Sequence, residues 1–223
     1  MCVTMRAFST PRSACFATAT PTPTPTATAG KNIGNVPSPS VAQAKAWTGT
    51  LTLNDVKLDI TLQGAAAPQA VASFLTDAKS HYFDGLLCWR MTNSPGTTTA
   101  GFYVLQCGTA SATGADPAAY SFGPLENTPV DNIYPAGSIV EARSSGNDYG
   151  SGHQFFITYK DTYIPADSAG GYSIFGHIVG GLDQLNSQIT SKGIIPPKSG
   201  DTTTSKNDGP PVVTTKITSV TIK

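Results

Sequence analysis

Arg90 stands in the run YFDGLLCWRMTN, a single cation among Tyr82, Phe83 and Trp89. Sixteen residues on, Gln106 ends the apolar stretch of GFYVLQCG, and Gln154 opens a third, HQFFIT. Strand residues alternate faces, so a polar group can stand beside the aromatics that line a wet face. A guanidinium stays charged at ordinary pH and holds its donors in a rigid fork. It suits a reaction in which charge or a lone pair develops and no nucleophile is required. Taken alone, a strand arginine is more often a paired or snorkelling surface residue. Other chemistries find less support. The four cysteines form no CxxC and the histidines at 81, 153 and 177 are scattered, so no metal site is expected. There is no GxSxG and no Asp-oriented triad, and His153 reads as a surface residue at a loop end.

These side chains need strands to hold them. TGTLTLNDV followed by KLDITLQG has the alternation of a hairpin turning at Asn54-Asp55. Pro68 suits a first helical turn, and Val71, Phe74 and Leu75 share a face, which predicts a helix over 68–79. Strands follow at 86–92, 102–107, 138–142, 154–158 and 173–178. A short helix is expected over 180–189, and a closing strand over 212–222. The intervening stretches are loops, with 94–101 and 108–120 long and rich in small residues. About eight strands and two helices suggest a closed or nearly closed barrel, which removes exposed edges.

The chain is long enough for one domain with a proper core. Fourteen basic and 14 acidic residues give zero formal charge, with no basic block to attract nucleic acid. Charged residues make up only 13%, and Ser and Thr supply much of the polar surface, which suits a secreted or surface protein. No run of 18 apolar residues is present. Arg6 and Arg12 are followed by no apolar core of signal-peptide length, and Cys15 in RSAC lacks the apolar stretch of a lipoprotein junction. ATATPTPTPTATA, residues 17–29, favours extended backbone with nothing to pack. Residues 1–43 are therefore read as a Thr/Pro-rich tail or tether, and 44–223 as the folded domain.

YFDG..CWR, FYVLQCG, GSGHQFFIT and GGYSIFGHIVGGLDQL occur in an order and spacing that resemble the cyclophilin-type peptidyl-prolyl cis-trans isomerases, in a bacterial, exported or surface-anchored form. The resemblance covers about Trp47 to Ile222. It implies a mainly β fold, a closed eight-stranded antiparallel barrel capped by two helices. It implies isomerisation of peptidyl-prolyl bonds, with no cofactor, and proline-containing peptides and unfolded proteins as partners. A monomer is expected, with a membrane tether through the N-terminus as one arrangement and an extracytoplasmic location. The alternative function is a peptide-binding or chaperone module of the same fold with weak or no catalysis.

Carried over residue by residue, the resemblance makes Arg90 and Gln106 catalytic. It places Tyr103, Val104, Phe156, Ile164 and Tyr172 around a proline-sized slot, with Gln154 beside it. The substrate backbone is expected along Glu141, Ala142 and Arg143. Cys88 and Cys107 fall on strands that should be neighbours, leaving open a disulfide or two buried thiols. Several positions depart from the family pattern. Trp89 replaces a histidine, and is expected to alter the strand's other face. Arg143 replaces an asparagine, and with Glu141 is expected to change the preference for substrate charge. ATGADPAAY carries fewer glycines than the matching loop of relatives.

Overall fold

The computed structural model describes residues 30–96, 100–115, 118–197 and 205–223. Strands β1 (Ala46–Leu53) and β2 (Val56–Gln63) form the expected hairpin, in which Asn54 adopts φ 52°. The left-handed turn residue is of a type that tolerates that conformation. Helix α1 (Pro68–Lys79) follows, then β3 (Leu87–Thr92), β4 (Val104–Thr109), β5 (Ile133–Tyr134), β6 (Ser138–Arg143), β7 (Ser151–Thr158), β8 (Thr162–Tyr163) and β9 (Ile174–Gly180). Helix α2 (Leu182–Gln188), the two-residue β10 (Asp208–Gly209) and β11 (Thr215–Ile222) complete the chain.

Eight of these strands close on themselves in the order β3-β11-β1-β2-β9-β6-β7-β4, with β4 pairing back to β3, and every pairing is antiparallel. Closure leaves no barrel edge open to another chain. β10 hangs outside the ring on β3, and β5 pairs with β8 in a separate ladder.

Helix α1 plugs one end of the barrel. Its face carries Val71, Phe74 and Leu75, all buried. Phe74 meets Phe83, Phe155 and Phe175 with ring centroids 5.0, 5.5 and 5.3 Å away. Each such ring taken from water contributes about 2–3 kcal/mol. Ala67 supplies no side-chain cap to α1. The Glu126 carboxylate does so from far along the chain, accepting from the Gln69 and Ala70 backbone N–H groups at 3.0–3.1 Å. An anion at a helix N-terminus satisfies orphan donors and complements the helix dipole.

The folded region starts earlier than residue 44. Residues 17–29 lie outside the described residues, but 30–43 pack on the barrel. Ile33 and Ser121 exchange backbone hydrogen bonds at 2.9 Å in both directions. Pro39–Ala42 form a 3-10 turn whose Ala42 is fully buried and accepts the Trp47 indole N–H at 2.8 Å. The Gln69 amide donates to Pro37 O at 2.9 Å. Prolines and small residues here fit a docked strap rather than a free tether, because their hydrogen bonds go to distant parts of the chain.

Candidate active site

The outer face of β3, β4, β6 and β7 carries a hollow of about 80 Å³ lined by Arg90, Phe102, Val104, Gln106, Ala142, Arg143, Phe156, Ile164 and Tyr172. Val104 and Phe156 of its wall belong to a second, smaller apolar cluster with Tyr134, Val140 and Ile174, set apart from the barrel core. Alternation explains the split. Phe155 faces the core and Phe156 the hollow, as the adjacency of two phenylalanines requires.

Arg90 and Gln106 are cross-strand partners, and so are Cys88 and Cys107. The register slips between the two pairs, so Trp89 sits in a bulge. The Arg90 Nη1 donates to Gln106 Oε1 at 3.3 Å. Gln106 Nε2 donates to Gln154 Oε1 at 3.0 Å, and Gln154 Nε2 donates to Gly114 O at 3.0 Å. Trp89 Nε1 also donates to Gln154 Oε1, at 3.0 Å. On its other edge, Arg90 meets Asp208, with Nε to Oδ1 at 2.7 Å and Nη2 to Oδ2 at 2.6 Å. The Asp208 carboxylate raises the guanidinium pKa still further, against the burial that would lower it. Among the described residues these bonds take three of its five N–H donors and leave two, one on each terminal nitrogen.

A larger groove of about 390 Å³ continues from the hollow and shares Gln106, Ala142 and Arg143 with it; Gln154 and Gly114 lie along this groove.

The family model for cyclophilin type peptidyl-prolyl cis-trans isomerase/CLD matches residues 49–222. The chain belongs to the cyclophilin-type peptidyl-prolyl cis-trans isomerases. It is 30% identical over 184 residues to a probable peptidyl-prolyl cis-trans isomerase B of Mycobacterium tuberculosis (strain ATCC 25618 / H37Rv), covering 77% of this chain and 53% of that protein. A probable isomerase B of Mycobacterium leprae (strain TN) is 30% identical over 199 residues, 84% of this chain and 59% of the relative. The chain thus spans little more than half the length of these curated relatives. A crystal structure of a Cryptosporidium parvum cyclophilin type isomerase superposes with a TM-score of 0.59 at 22% identity, covering 80% of this chain and 98% of that one. The same Cryptosporidium parvum isomerase in the presence of the dipeptide Ala-Pro gives a TM-score of 0.52 at 22% identity, covering 79% and 98%. These likenesses show a shared fold.

Within this cyclophilin, Arg90, Gln106, Val104, Ala142, Arg143, Phe156, Ile164 and Tyr172 come together as expected. Cys88 and Cys107 form a disulfide. Other expectations are corrected. Tyr103 does not line the hollow; it packs on the barrel core beside Tyr159, ring centroids 5.7 Å apart. Val104 already faces the hollow, so its neighbour cannot; Phe102, two residues back, takes the wall. Glu141 faces inward, 3% exposed, paired across β7 with core-facing Phe155. Its Oε2 has no partner, and burial, with Asp77 and Glu126 nearby, raises its pKa well above the ordinary value. Trp89 turns to the site side through the bulge rather than to the far face. His153 is no surface residue: it is buried, bonded to Asp77 at 2.8 Å and stacked on Tyr82 at 4.3 Å.

Arg143 reaches the groove but its charge does not act there. It is bonded to both Asp167 oxygens at 2.8 and 3.0 Å and donates to Gly170 O, Gly171 O and Ser144 O. The same pair drives the Asp167 carboxyl far below the usual carboxylate range. Its guanidinium lies 4.5 Å from the Tyr172 ring, and Tyr172 packs edge-on against Phe156 at 5.7 Å. Arg143 is therefore a strut behind the slot wall. With Glu141 inside the barrel and Arg143 paired, neither residue supplies the charge preference expected from sequence.

Phe102 and Asp208 were missed in the sequence. Strict two-residue spacing back from Val104 would have found Phe102. Asp208 carried only a turn signal, Asp-Gly in a proline-rich coil.

Proposed function

We propose that this cyclophilin catalyses cis–trans isomerisation of peptide bonds preceding proline, in proline-containing peptides and unfolded proteins. The observation that carries this is the Arg90 guanidinium, held by Gln106 with two N–H groups to spare, on the rim of an apolar hollow with room for one small ring. The uncatalysed rotation is slow because the amide barrier is about 18–20 kcal/mol. At the twisted state the nitrogen has lost conjugation and recovered its lone pair. A donor fixed beside that nitrogen favours the twisted state over either planar isomer. Phe102, Val104, Phe156, Ile164 and Tyr172 would seat the ring, so the acyl side turns while the proline stays still. No bond is broken, and no nucleophile or cofactor is needed.

The departures from family pattern do not favour a binding module without catalysis. Trp89 fastens Gln154, and Arg143 braces Tyr172, so both serve the site. The decisive experiment compares wild type with Arg90→Ala in a proline-peptide isomerisation assay. A loss of about 10²–10³ in kcat/KM with unchanged melting supports catalysis. Equal rates would overturn it.

We also read the protein as extracytoplasmic, secreted or anchored at its N-terminus. The Cys88–Cys107 disulfide supports this, since such bonds persist in oxidising compartments. Thiol alkylation of whole cells and of their fractions tests it; a fully reduced cytoplasmic pool would refute it.

A further inference from the structure

We propose that Asp208 is a positioning residue for Arg90, setting the plane in which the guanidinium meets the substrate amide. This rests on the reading of Arg90 as the catalytic cation.

The contact is bidentate, Nε to Oδ1 and Nη2 to Oδ2, with N–H···O bonds of 2.7 and 2.6 Å. Without it Arg90 would keep one long bond, 3.3 Å to Gln106. One bond leaves a long side chain free to turn about its last torsions; the bidentate pair fixes both the Nε edge and the plane. The two N–H groups left over then have a defined direction.

The carboxylate is placed by backbone rather than by chance of side-chain conformation. Asp208 lies opposite Thr92 and Gly209 opposite Met91 in the β10–β3 ladder. Asn93 N donates to Asn207 O at 2.8 Å. The flanks of the excursion after α2 are tied by Ile195 N to Pro210 O and Val212 N to Gly193 O, at 2.8 and 2.9 Å. The two side chains are 29% and 35% exposed. Pairs that wet contribute little to stability, so a ladder that delivers a carboxylate here serves the aim of the arginine more than the strength of the barrel. The pair is also close to neutral as a whole. Arg90 then acts through aimed N–H groups more than through net charge.

The test uses the full chain with Asp208→Asn, Asp208→Ala, Asp208→Glu, Arg90→Ala and the double variant Asp208→Asn/Arg90→Ala. Rates are read by exchange NMR on a neutral proline tetrapeptide, with melting followed alongside. Asp208→Asn is expected to lower kcat about 10- to 100-fold, the usual result of misplacing a catalytic group by an ångström. KM and melting should hold. Asp208→Glu should recover part of the loss, and Asp208→Asn should cost nothing further once Arg90 is alanine. The Arg90 Nε–H resonance should be sharp and slowly exchanging in wild type, and broad in Asp208→Asn and Asp208→Ala. A wild-type kcat in Asp208→Asn overturns the proposal, as does an undiminished loss in the Arg90→Ala background. If wild type and Arg90→Ala turn over alike, the catalytic reading falls instead. The Nε–H resonance still decides positioning, and an unchanged signal in Asp208→Asn refutes it.

Discussion

Trp89 and Gln106 share one acceptor, the Gln154 side-chain oxygen, each donating to it at 3.0 Å. Gln154 in turn holds the loop at Gly114. The glutamine behind Arg90 is thus tied, through Gln154, to the indole that precedes Arg90 on β3.

Trp89→Phe keeps the ring and removes the donor. Losing one such bond costs about 1 kcal/mol, so kcat/KM should fall roughly fivefold while the melting temperature stays within a few degrees. Gly114→Ala should be worse. Gly114 has φ +70°, and an added Cβ would overlap the Trp89 ring. Loop and indole must then separate, and activity should drop further than in Trp89→Phe. Equal activity in wild type and Trp89→Phe would show that the shared acceptor is idle.

Glu141 is a buried carboxyl with an unpartnered oxygen. Glu141→Met should stabilise the fold by about 1–3 kcal/mol at pH 7, the usual penalty of an unsatisfied buried polar group. The pH dependence has a sign. The folded-state pKa is raised above the ordinary glutamate value, so the folded form holds its proton more tightly than the unfolded chain. Wild type therefore loses stability as pH climbs from the ordinary value, 4.5, towards the folded one. The advantage of Glu141→Met should shrink in acid and widen towards neutrality. Thermal melts of both proteins from pH 4 to 8 check this; a constant gap contradicts it.

The Cys88–Cys107 bond closes a sequence separation of 19. Loops of that length gain about 3 kcal/mol from the cross-link, so reduction should lower melting by about 6–12 °C. The bond lies between the same two strands as the Arg90–Gln106 pair. Reduced protein should also lose activity at temperatures well below its melting point, and Cys88→Ser/Cys107→Ser should behave as the reduced form does.

Arg143→Asn should weaken the slot wall rather than alter a charge preference. Without the strut, Asp167 loses its cation and Tyr172 its backing. KM should rise severalfold for acidic and basic proline peptides alike, on the order of what one charge-assisted bond is worth. A loss confined to acidic peptides would return the charge to the groove.

Replacing Glu126 by Ala removes the carboxylate that caps α1. The fold should lose about 1–2 kcal/mol, measured by denaturant unfolding, while the groove keeps its shape.

Much of this was legible in the sequence because it depends on local period. Helix α1 begins and ends where Pro68 and the Val71–Leu75 spacing place it. The hairpin turns at Asn54, and the Phe155–Phe156 pair splits between core and hollow. The same period rules Tyr103 out of the hollow, since it and Val104 cannot share a face. Other features had no local trace. Glu141 reads as an anion beside the groove and His153 as a surface residue, because charge and polarity usually face water, yet strand register turns both inward. The β3 bulge at Trp89, and a carboxylate 118 residues from its arginine, arise from long-range pairing. No window of neighbouring residues encodes either.

The Ile33–Ser121 pairing means that the family match, which starts at residue 49, is shorter than the unit that folds. Ser121 lines the larger groove, and its backbone is sutured to a residue 88 positions upstream. A fragment begun at Gly49 would forfeit that suture and the Pro39–Ala42 turn, whose Ala42 packs into the core. Its groove rim would open on one side, and a sluggish enzyme from such a truncation would report on the cut rather than on the catalyst.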